Sequence, residues 1–161
     1  MPTGRLYTCQ FGAVAATTAI DFFELVCPAD AVMIVREVRI SQSTEAGDAQ
    51  SEQLRFQIKR GIGSTSGSGG ASGTLNKVHT GDAAAGITAE TNNTTQAIAG
   101  GGSLTILQEE CENVHNGWLH APPPDERLVF SPSEVCIIAM PSTPADSISF
   151  SGYVLVEELG G

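Results

Sequence analysis

The chain has 161 residues, 41% of them hydrophobic, with 18 glycines and a formal charge of −10 from 18 acidic and 8 basic side chains. That length gives one domain with room for its own core, and glycine set among Ser, Thr and Ala favours loops over helices. The charge excludes an electrostatic footprint for nucleic acid or an anionic membrane; it suits a basic protein surface, or simply solubility.

Near the N-terminus Arg5 and Ala13-Val14-Ala15 mimic a secretion signal, but Thr8, Gln10 and Gly12 break the apolar run. No stretch of about 18 apolar residues offers a membrane span, so a cytoplasmic origin is expected. Leu6 to Val14 reads as a strand with Tyr7, Cys9 and Phe11 on one face. Ile20 to Val26 is a second, and Pro28-Ala29-Asp30 a turn. Val32 to Ser41 alternates, with Val32, Ile34, Val38 and Ile40 predicted on one face. Arg36 falls on that apolar face and should reach a carboxylate or snorkel to an edge.

Ser43 to Gln53 is a polar loop with room for one helical turn around Ala46 to Gln50, and Leu54 to Arg60 is the next alternating strand. Arg36, Arg39, Arg55, Lys59 and Arg60 are five of the eight basic residues. They are expected to pair across strands with Glu24, Glu37 or Glu52, a local basic face being the alternative. Residues 61–73 read as a flexible Gly/Ser linker; a phosphate loop would need a lysine at a fixed offset and a helix after it.

Leu75 to His79 is a short strand. Residues 81–102 read either as a long excursion packed on a neighbouring element or as a mobile loop. Their two glycosylation sequons, in Asn92-Asn93-Thr94-Thr95, matter only in a secretory pathway. Leu104, Leu107, Cys111, Val114 and Trp118 follow helical spacing, yet Gly100-Gly101-Gly102 and Asn116-Gly117 bracket the run, and a strand over 104–110 is expected. Pro122-Pro123-Pro124 forces extended chain. Leu128 to Phe130, Val135 to Met140 and Ser147 to Glu157 complete the set, the last two joined by a turn at Ser142 to Asp146. Pro-Ala-Asp recurs at 28–30 and 144–146, each time before a strand. Eight or nine short strands without a helix predict an all-β fold: a single domain over 1–161, a two-sheet antiparallel β-sandwich, jelly-roll-like, with long Gly/Ser-rich loops at 61–73 and 81–102.

Chemistry is sparse. The cysteines at 9, 27, 111 and 136 form no close metal-ligand or redox pair, and reduced thiols are expected, Cys9 and Cys136 packing as small hydrophobes. His79, His115 and His120 make no His-x-His of cupin type. Glu109, Glu110, Glu112 and His115, with Cys111 among them, include ligand types that zinc accepts, but the plainer reading is a solvated strand end. There is no nucleophile elbow and no calcium loop, and Asp48, Asp82 and Asp125 sit in ordinary turn contexts. The expectation is a protein without enzymatic activity, metal or cofactor. Trp118 and Leu119, followed by Pro122, Pro123 and Pro124, form a stiff apolar segment that loses little entropy on binding. With Arg39, Arg55 and Lys59 they are the candidate protein interface. The competing reading is that Trp118 plugs the end of the barrel.

The order of these features resembles a known family. Val-Arg-Glu-Val-Arg-Ile at 35–40 leads to Gly-Asp at 47–48 and Leu-Arg-Phe-Gln-Ile-Lys-Arg-Gly at 54–61. Asn-Asn-Thr-Thr at 92–95, Asn-Gly-Trp at 116–118, Pro-Pro-Pro-Asp-Glu-Arg at 122–127 and Ser-Gly-Tyr-Val-Leu-Val-Glu-Glu-Leu-Gly at 151–160 follow. The whole is similar to small β-sandwich capsid decoration, or cement, proteins of tailed bacteriophages. The resemblance implies a homotrimer on the outside of the virion that binds and stabilises the shell of major capsid protein. It implies assembly in the host bacterial cytoplasm, with no direct nucleic-acid or membrane contact. The alternative is a carbohydrate-binding or other tail- or fibre-associated β-sandwich module, whose exposed aromatics would line a groove.

Overall fold

A computed structural model describes residues 4–45 and 52–160. The turn proposed around Ala46 to Gln50, and the Gly-Asp loop at 47–48, lie outside them. Among the described residues there is no α-helix. The strands are β1 (Arg5–Ala16), β2 (Ile20–Val26), β3 (Ala31–Gln42), β4 (Gln53–Ile62), β5 (Ala71–Gly73), β6 (Asn76–Lys77), β7 (Thr88–Asn93), β8 (Ser103–Asn113), β9 (Trp118–His120), β10 (Leu128–Phe130), β11 (Val135–Met140) and β12 (Ile148–Gly160).

They form two antiparallel sheets packed face to face. The first runs β10-β3-β12-β1-β6, with β9 also on the outer edge of β3; the second runs β5-β7-β2-β11-β4-β8. The central strands alternate between layers: β1, β3 and β12 in one, β2, β4 and β11 in the other. With β9 and β10 beyond β3, and β8 beyond β4, this is the wiring of a jelly roll. β5, β6 and β7 extend its opposite edges.

The core lies between the sheets. Phe11 stacks on Phe22 at 5.7 Å and Phe150 meets Phe22 edge-on at 5.1 Å. Met33, Val35, Val38, Ile58, Ile138, Val154 and Val156 fill the rest. Each such side chain contributes roughly 1.5–3 kcal/mol on leaving water. Cys9 and Cys136 are buried here as small hydrophobes. Glu158, 1% exposed, fastens one end. Its carboxylate accepts the amides of Gly86 and Ile87 at 2.8 and 2.9 Å and pairs with Arg5 at 2.7 Å, so the loop before β7 is tied to the first sheet.

Two expectations are corrected. The face predicted for β3 is split. Val38 and Ile40 are buried in the core, but so are Met33 and Val35, while Val32 and Ile34 turn outward. The register explains it: Leu155 faces Glu37 and the next residue, Val156, faces Val35, so β3 carries one extra residue there. A bulge of this kind reverses the alternation along the strand. Arg36 is that extra residue, and its Nη1 reaches Glu157 at 2.8 Å.

Residues 61–73 are also more ordered than the flexible linker predicted, and for residues 81–102 the packed reading holds over the mobile one. Residues 81–102 include β7, a full member of the second sheet, and residues 61–73 end in β5 beside it. Before β5 and after β7 the two segments pair with each other through Thr65–Ile98 and Ser68–Thr95. Together they form a strap over the outer face of the second sheet. The glycines here serve close approach, not flexibility. A β-carbon on Gly67 would stand 2.4 Å from the Thr95 carbonyl and 2.5 Å from Glu24 Oε1, and one on Gly70 would stand 2.1 Å from the Thr91 carbonyl.

Candidate interaction surfaces

Residues singled out in the sequence separate onto different surfaces. β9 pairs with β3 so that Leu119 stands opposite Arg39, and Tyr153 flanks Arg39 on its other side. All three project from the solvent face of the first sheet, with Arg39 exposed and Leu119 53% exposed. The chain then runs through Pro122, half-buried, to Pro123 and Pro124, both exposed, and a short 3-10 turn over Pro124–Glu126 before β10. Arg39, Leu119, Pro123 and Pro124 thus form one stiff rim along the β9–β10 edge.

Trp118 is not part of that rim. It is 2% exposed and points inward, stacked on Phe56 at 5.2 Å with rings 7° from parallel. Its Nε1 donates to Glu110 Oε2 at 3.0 Å. Strand alternation sends Leu119 out and Trp118 in, and Trp118 closes the seam between the sheets, the plug reading. His120, two residues on, is buried on the same side, and burial lowers its pKa.

Arg55 is exposed on the second sheet opposite Cys111, away from the Arg39 rim. Lys59 is 8% exposed on the outer face of that sheet, too buried to serve a partner. Nor do the basic residues pair as expected. The ion pairs among the described residues are Arg5–Glu158, Arg36–Glu157 and Arg60–Glu134. Glu37 instead accepts the Tyr153 hydroxyl. The Glu109–Glu112 cluster is divided by the strand: Glu109 bonds Gln57 on the outer side, and Glu110 faces Trp118 within.

Beneath the strap lies a polar layer that alternation in β2 and β4 hides. Asp21 and Glu24 project outward from the second sheet yet are only 1% and 3% exposed. Asp21 accepts the Ala97 amide at 2.7 Å and the Gln96 side-chain amide at 2.9 Å. Glu24 accepts the Gly67 amide at 2.7 Å and Asn93 Nδ2 at 3.0 Å. Burial pushes the Asp21 carboxyl up to about 6, against the opposing pull of the Ala97 amide and of Lys59. Ala97, Ile137 and Ala139 make a small second core around this layer. Loop composition gives little sign of it, because half of these donors, at Gly67 and Ala97, are backbone amides.

The clefts are modest. One of about 230 Å³ is lined by Glu24, Ser66, Ser72, Thr88 and Glu90. Another, of about 120 Å³, lies beside Arg39, Gly117 and Leu119. Among the described residues no helix is long and apolar enough to cross a membrane.

The sheet order defines a two-layer antiparallel jelly roll, an architecture shared by viral capsid domains, lectins and cupins. Set against family models, curated proteins and solved structures, the chain matches none.

Proposed function

We propose that this chain is a virion structural protein that decorates the capsid of a tailed phage, binding and stabilising the shell of major capsid protein from outside. It acts as a homotrimer after assembly in the bacterial cytoplasm. Fold alone does not assign a function, so the reading leans on the sequence resemblance and on one surface feature. That feature is the cross-strand pair Arg39–Leu119 beside the exposed prolines of the β9–β10 turn. A cationic side chain, an exposed leucine and a conformationally restricted turn suit docking on a neighbouring protein, because little entropy remains to be lost. Contacts of this size are weak singly and strong when several copies engage one shell. No bond-making step is needed. The carbohydrate-binding alternative loses the ring it relied on, since Trp118 lies under Phe56.

The test is the double variant Arg39→Glu, Leu119→Asp. The reading expects at least tenfold weaker binding to phage heads with an unchanged thermal midpoint. Undiminished binding by a folded double variant would remove this rim from the account.

A further inference from the structure

The two outer faces of the sandwich differ in kind. The second sheet's is roofed by the strap, which shelters Ile137 and Ala139. The first sheet's has no such roof, and where β3, β10, β12 and β1 run side by side it is mostly apolar around Glu157, which is 6% exposed and bonded by Arg36 and the Gly4 amide. Val129, Ile34, Glu157 and Leu6 lie in one row across four strands, and Val32 with Leu159 in the row beyond. Leu155 lies on the same face, beside Thr8. None of these apolar side chains belongs to either core; Val129 is 46% exposed and the others are partly exposed.

An antiparallel sheet with one solvated face normally turns polar residues to that side, and an outward apolar cluster marks a contact surface. On β3 its origin is the extra residue at Arg36, which turns Val32 and Ile34 away from the core, while Leu155 and Leu159 face outward by the alternation of β12.

Charge identifies the occupant. The chain carries −10 overall. Beside this patch stand Arg36 and Arg39 against Glu37, Glu157 and the exposed Asp30 just before β3, two positive charges and three negative, with Arg36 and Glu157 already paired. Exposed carboxylates such as Glu90, Glu109 and Asp146 lie elsewhere. Two molecules of like net charge meet with least repulsion where each is locally near neutral and apolar. A strongly basic partner would gain more from the acidic surfaces than from this one.

We propose that the outer face of the first sheet, centred on Ile34, is where copies of this chain associate with one another. This deepens the homotrimer element of the proposed function by naming its surface. It is separate from the Arg39–Leu119 rim, which is assigned to the shell.

Sedimentation velocity on the full chain over a concentration series tests it. The wild type is expected to sediment above monomer mass. Ile34→Lys and Val129→Lys are each expected to weaken association at least tenfold, with circular dichroism unchanged. Val129 is exposed enough that its variant tests the face even if Ile34→Lys fails to fold. Ile106→Lys, on the exposed side of β8 in the second sheet, should associate like the wild type. A wild type that stays monomeric would overturn the inference and the trimer with it, leaving shell binding to be judged with heads. An oligomer that survives both face variants, or that Ile106→Lys dissolves equally, would overturn the assignment of the surface while leaving the proposed function standing.

Discussion

Asp21 Oδ2 accepts the backbone amide of Ala97 at 2.7 Å, across the boundary between the second sheet and the strap that covers it. The contact joins a buried carboxyl to a segment whose composition reads as loop. It makes the outer layer of the sandwich part of the folded unit.

A pH dependence follows from it. Burial raises the Asp21 pKa from 3.8 to about 6. The folded state therefore binds this proton more tightly than the unfolded state, and Asp21 subtracts stability as pH rises from about 4 to about 6. At roughly 1.4 kcal/mol per pKa unit the effect is on the order of 3 kcal/mol. Asp21→Asn keeps an oxygen for the Ala97 amide without the ionisation. Urea denaturation at pH 4 and pH 7 should show the wild type losing about 2–3 kcal/mol more than Asp21→Asn across that interval. Equal losses would show that Asp21 ionises without cost.

The strap should also be sensitive to single methyl groups. Gly67→Ala brings a β-carbon against the Thr95 carbonyl and the Glu24 carboxylate, where no space exists. Overpacking of this kind costs about 1–3 kcal/mol. Hydrogen exchange should rise at Ser68, Thr95 and Ala97 while the amides of β3 and β12 keep their protection. If exchange in the strap is unchanged, the segment is not packed as described.

Trp118 offers a third check. Trp118→Ala removes a ring stacked on Phe56 and leaves Glu110 without its indole donor. A loss of about 3–5 kcal/mol is expected from the cavity. Trp118→Phe restores most of the packing but not the hydrogen bond, and should lose about 1–2 kcal/mol. Denaturation midpoints read both; an Ala variant as stable as wild type would mean the ring does not close the seam.

Sequence patterning carries the fold class, and the reasons are local. β4 alternates without ambiguity from Leu54 to Ile58, β11 is apolar throughout from Val135 to Met140, and β12 alternates around Val154 and Val156. β8 was legible as a strand because glycine runs outweigh its helical spacing. The bulge at Arg36 is set by the partner strand, so the outward turn of Val32 and Ile34 is invisible in β3 read alone. One signal was present: Val32-Met33-Ile34-Val35 is apolar at four successive positions, which puts hydrophobic groups on both faces. The strap was hidden because glycine reads as freedom where it here marks close approach. At the candidate site, Arg39 and Leu119 could be found from composition, but the inward turn of Trp118 and the burial of Lys59 depend on tertiary contacts with Phe56 and the strap.

Binding to the shell is the central claim, and pelleting measures it directly. Purified chain mixed with DNA-filled heads of the phage or prophage proposed to encode it should sediment with them. Binding should be saturable, in fixed ratio to the major capsid protein, and should raise the temperature at which the heads release DNA. Chain that stays in the supernatant at every concentration, with head stability unchanged, would contradict the account.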